Sequence, residues 1–96
     1  MDAFLLLGHY LAPLDVVDQF RPSHRAWLQS LQEAGRLIIA GRQLSKTGSV
    51  VIVLAESDTA AQLMARGDPY VVRGVARYEV IPFEAGRWGV TPPQPA

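Results

Sequence analysis

The chain has 96 residues, enough for one hydrophobic core and too few for two. Nine Lys+Arg balance nine Asp+Glu, which counts against a nucleic-acid binder that grips phosphates, and an apolar share of 49% excludes general disorder. With no cysteine, the chain has no disulfide, zinc-thiolate site or thiol nucleophile.

The first predicted element runs from Ala3 to Leu11 and is apolar on both alternating faces, so it reads as a strand buried on two sides. It is far shorter than the roughly 20 residues of a membrane helix. Asp2 and the missing basic segment exclude a signal peptide, so a cytoplasmic protein is expected. From Leu14 onward the pattern is helical. Phe20, His24, Trp27, Leu28 and Leu31 share one face, while Arg25, Gln29, Gln32 and Glu33 take the other. Pro22 suits a first turn and not a helix interior, so the long helix starts near Arg21, with a separate turn over Leu14 to Phe20. Gly35 ends it.

Arg36 to Gly41 reads as the second strand, Gln43 to Gly48 as a polar turn, and Ser49 to Ala55 as a β-branched third strand. Ser57 caps a second helix that carries Ala60, Ala61, Leu63 and Met64 and stops at Gly67. After Asp68-Pro69-Tyr70, Val75 to Phe83 alternates as an edge strand in which Pro82 is tolerable. Residues 1–86 then form one domain, and 87–96, with Thr91-Pro92-Pro93-Gln94-Pro95, a tail without regular structure.

The order β-α-β-β-α-β predicts an α+β, ferredoxin-like fold: a four-stranded antiparallel sheet with two helices on one face and the first and third strands central. The opposite face would show Leu, Val and Ile to water, and a homodimer that pairs sheet with sheet is the simplest cover. RNA-recognition domains share this order but display stacking aromatics on the third strand. Val50 to Leu54 contains none, so no nucleic acid is expected as partner.

Two residues stand out chemically. His24 lies on the apolar stripe of the long helix, where an imidazole either is a satisfied core group or acts as acid and base. Asp68 precedes a proline at a helix end, which is an ordinary turn device, yet it also lies where a carboxylate could orient His24. Arg21 and Ser23 flank the helix start, where they serve either an anion or the cap. His9 reads as a packing or interface residue. Trp27, Tyr10, Tyr70 and Tyr78 read as core or pocket walls, and Trp88 as a dimer contact. Phosphate-cradling glycine motifs, a nucleophile elbow and metal-ligand spacing are all missing from the sequence, so neither cofactor nor metal is implied.

Taken together, Arg21-Pro22-Ser23-His24, the strand closing on Ala40-Gly41, and Asp68-Pro69-Tyr70 followed by Gly74-Val75 resemble the YCII-related (YciI-like) family over positions 3–84. The resemblance implies a dimeric α/β-barrel of ferredoxin-like units with a His–Asp pair in a pocket between helices and sheet. By motif it makes His24 and Asp68 the catalytic pair and Arg21, Ser23, Gly41 and Tyr70 substrate-binding positions. It implies lyase- or isomerase-like acid–base chemistry, without a cofactor, on a small substrate of aromatic or enol type. One departure falls on the pocket rim, where the family often carries Ala-Gly-Pro and this chain has Ala40-Gly41-Arg42. The alternative is a module that binds a small ligand or a protein without turnover.

Overall fold

The protein is represented by a computed structural model that describes residues 1–89. Its elements are β1 (Asp2–Tyr10), α1 (Leu14–Asp18), α2 (Arg21–Glu33), β2 (Leu37–Arg42), β3 (Gly48–Ala55), α3 (Asp58–Arg66), α4 (Pro69–Val72) and β4 (Ala76–Phe83). The strands form one antiparallel sheet in the order β2-β3-β1-β4, which is the expected ferredoxin-like topology with β1 and β3 central. Among the described residues no helix is long and apolar enough to cross a membrane.

Local chemistry accounts for the element ends. Pro22 sits in the first turn of α2, where its missing N–H costs nothing, and Gly35 follows the helix at φ 72°, in the left-handed region that favours glycine. The Ser57 hydroxyl accepts from the Ala60 N–H and starts α3. The segment after Gly67, where the sequence offers only a turn at Asp68-Pro69, closes into α4 because Asp68 caps it.

On the helix-covered face, Phe4, Leu6, Val51, Val53 and Ala55 pack with Leu31 of α2 and with Ala61 and Ala65 of α3. Each large side chain buried this way contributes about 1.5–3 kcal/mol. A second cluster joins Val17 of α1 to Tyr70, Val75 and Ala76, with Tyr10 and Phe20 against it. The opposite face corrects the reading of β1 as buried on both sides. Leu5, Leu7, Val50, Ile52 and Leu54 are only half-buried there, and Ile39 on β2 is 61% exposed, because every helix lies on the other side.

Two local features shape the site. Gly8 and Gly48 bring β1 and β3 close together: a Cβ on Gly48 would overlap the Gly8 carbonyl, and one on Gly8 would overlap Ser49 and come within 2.9 Å of the Tyr78 ring. On β2, a bulge interrupts the register between Leu37 and Ile39. Leu37 faces Val53, but Ile39 then pairs with Ile52 and Arg42 with Ser49. Since a one-residue slip exchanges the faces, the bulge turns Ala40 and Arg42 toward the helices.

Candidate active site

α2 and α4 pack side by side and bring His24 to Asp68. His24 is 8% exposed and Asp68 is fully buried. The His24 Nδ1 lies 2.9 Å from both carboxylate oxygens. An ionised carboxylate only accepts, so Nδ1 carries the proton and shares it between the two. The same carboxylate accepts from the Tyr70 backbone N–H at 3.0 Å and from the Tyr78 hydroxyl at 2.6 Å. Three donors around one buried acid offset its desolvation and fix its orientation. Burial, and then the neighbouring Asp68 charge, hold the Tyr78 phenol well above the usual tyrosine range, so it stays a donor.

The imidazole is also fixed through its face. The Tyr70 ring stacks on it at 4.1 Å with planes 6° apart, and Trp27 lies at 5.7 Å. With ring and tautomer set, Nε2 is left with no hydrogen-bond partner among the described residues, and it is not sealed from solvent either. It belongs to the wall of a cavity of about 220 Å³ between α2 and the sheet. Arg21, Arg25, Gly41, Arg42, Tyr10 and Tyr70 help to line this cavity.

His24, Asp68, Arg21, Gly41 and Tyr70 thus gather around one hollow, Asp68 from behind the ring. Ser23 does not join them: it is exposed, outside the cavity wall, and α2 begins without a side-chain cap. His9 lies on the open face of the sheet, 4.0 Å from Glu79. The sequence motifs assign no role in the site to Tyr78, Arg42 or Asp18. Tyr78 reads only as a wall residue, yet it anchors Asp68. Arg42 donates from Nε to the Tyr10 hydroxyl at 2.9 Å and from Nη2 to Asp18 at 2.5 Å, and the Asp18 bond raises its already high pKa. The only hint of that cluster in the sequence is the arginine that stands where the family often has proline.

Comparison with known proteins identifies the family and the fold. A family model, the YCII-related domain, matches residues 3–84. Protein YciI of Escherichia coli is 43% identical over 75 residues, 67% of this chain and 76% of its own length, and protein YciI of Shigella flexneri matches equally. Among solved structures, 5-chloro-2-hydroxyhydroquinone dehydrochlorinase from Burkholderia phenoliruptrix, in complex with 2,5-dihydroxybenzoquinone, superposes with a TM-score of 0.69. That match has 25% sequence identity and covers 90% of this chain and 92% of the other. The chain therefore belongs to the YCII-related family.

Proposed function

We propose that this protein is a small enzyme that works without a cofactor and moves a proton between His24 and a substrate of phenol or enol type. The reaction class is lyase- or isomerase-like. One observation carries the reading: an imidazole tied to a buried carboxylate through Nδ1 presents an unpartnered Nε2 to a cavity. That arrangement makes Nε2 a base and Asp68 the group that orients it and balances the charge of the imidazolium. Arg21 and Arg25, one helical turn apart at the cavity wall, have no acidic partner among the described residues and favour an anionic ligand. The dehydrochlorinase lends support as well, since loss of hydrogen chloride requires a proton to leave the substrate along with chloride. We assign Ser23 no part beyond the rim.

The half-buried apolar face of Leu5, Leu7, Val50 and Ile52 is the surface through which we propose two copies associate, in the cytoplasm. Residues 1–86 carry the site, and the expected tail is largely outside the described residues.

The test is turnover of chlorinated hydroquinones, read as chloride release, by the parent and by His24→Asn. Loss on the order of 10²–10⁴-fold in the variant is expected. Equal rates remove His24 from the chemistry, and binding of these compounds without any release would favour the ligand-binding module.

A further inference from the structure

Two phenol hydroxyls at the cavity have no acceptor. The Tyr10 oxygen receives a hydrogen bond from Arg42 Nε at 2.9 Å, and a guanidinium can only donate. The Tyr10 proton therefore needs an acceptor of its own, and the described residues supply none. Tyr70 is 1% exposed, its hydroxyl lies beside the same guanidinium, and it donates to no acceptor among the described residues. Both tyrosines line the cavity, where a ligand can accept those protons.

Arg42 bonds directly to the Tyr10 hydroxyl and acts on the Tyr70 hydroxyl through its charge and a hydrogen bond. Its bond to Asp18 ties β2 to α1 and holds the guanidinium in place beside the two phenols. The bulge between Leu37 and Ile39 is what puts it on this side of the sheet. The two rings meet edge to face at 5.9 Å, and Tyr70 stacks on His24, so both hydroxyls belong to the same wall as the base. Burial pushes the Tyr70 phenol above its ordinary range, which keeps it protonated and able to donate.

We infer that Tyr10 and Tyr70 form a paired hydrogen-bond clamp for an oxyanion of the ligand, with Arg42 as its positioning residue. The inference rests on the proposed proton transfer and names the substrate class: a compound whose oxygen gains negative charge as His24 takes a proton. The C–H bond of the substrate breaks, its proton goes to Nε2, and its electron pair forms an enolate whose oxygen lies between the two O–H groups. Donors placed in advance where charge develops stabilise that state without rearrangement.

The probe is para-nitrophenol, whose phenolate absorbs separately from the phenol, titrated into the parent, Tyr10→Phe, Tyr70→Phe and Arg42→Gln. The parent is expected to bind the phenolate and lower the pH at which the bound probe ionises. Each Tyr→Phe change weakens binding about tenfold, as for a hydrogen bond to a charged group. Tyr70→Phe is also expected to melt close to the parent, because the described residues give its proton no acceptor. A merely structural hydroxyl would give the reverse, a lower melting point and unchanged affinity, and that result overturns the clamp. So does a parent that binds no probe or binds it only as the neutral phenol. His24→Asn separates the two readings. Phenolate binding that still needs both hydroxyls, beside unimpaired turnover in His24→Asn, refutes the proton transfer and keeps the clamp.

Discussion

Asp68→Asn changes one atom in the centre of the site and tests whether the charge of that carboxylate, and not its shape, organises the pocket. Three donors converge on it: the His24 Nδ1–H, the Tyr70 N–H and the Tyr78 O–H. An amide offers one accepting oxygen and an NH₂ group that must face one of those donors. If the NH₂ turns to His24, the imidazole moves its proton to Nε2, and the nitrogen at the cavity ceases to be a base. If it turns to Tyr78, the hydroxyl has to reverse and its proton loses its acceptor. Each bond to the carboxylate is worth about 1 kcal/mol more than its neutral counterpart, so the change costs about 3 kcal/mol. For a domain of this size that lowers Tm by roughly 12–24 °C. Thermal melting measures the loss, and ¹⁵N NMR of the His24 ring reads the tautomer. Activity is expected to fall on the order of 10²–10⁴-fold. A variant that melts within about 1 kcal/mol of the parent and keeps the Nδ1–H tautomer would refute the reasoning.

Three other changes probe the frame around the site. Tyr78 is held above its ordinary value by burial, so its contribution is complete below about pH 10. It is lost as pH rises further, because the unfolded chain then ionises first. Tyr78→Phe removes one such group, and its stability should fall less steeply with pH in alkaline denaturation. A slope equal to the parent's rejects the buried Tyr78 phenol as its source. Gly48→Ala forces a Cβ into the Gly8 carbonyl, part of the backbone that joins β1 to β3. It should lower stability by at least about 2 kcal/mol in denaturant unfolding. Ile52→Glu puts a charge in the middle of the open face of the sheet, opposite Leu5 and Ile39. Sedimentation should show the parent as a dimer and this variant as a monomer with an unchanged circular dichroism spectrum.

The order of the strands was legible because the β-α-β-β-α-β sequence of elements puts β1 and β3 in the centre, and their apolar residues on both faces fit that place. Pro22 and Gly35 set the ends of α2, since each residue has few backbone options. The register of β2 was not readable. Arg36 to Gly41 looks like an uninterrupted strand, and simple alternation from Leu37 would send Arg42 to the open face. The bulge reverses that, and only the sheet contacts of β3 determine where it falls. Arg42, Asp18 and Tyr10 are 24 and 32 positions apart in pairs, and no local pattern joins them.

Asp68 shows why its two readings need not compete. As a turn residue it accepts from the Tyr70 N–H and starts α4; as a partner it receives His24 and Tyr78. Pro69, next in the chain, has no N–H to offer the carboxylate, so the first backbone donor within reach is that of Tyr70. The bond that follows folds α4 back and sets the Tyr70 ring flat against the imidazole. The cap therefore builds the pocket: the short helix that Asp68 begins carries the ring that holds His24 in the plane where Nδ1 meets the same carboxylate. Substituting Asp68 should disturb ring stacking and proton placement together, whereas Tyr70→Phe should leave both intact, since neither depends on the phenol oxygen.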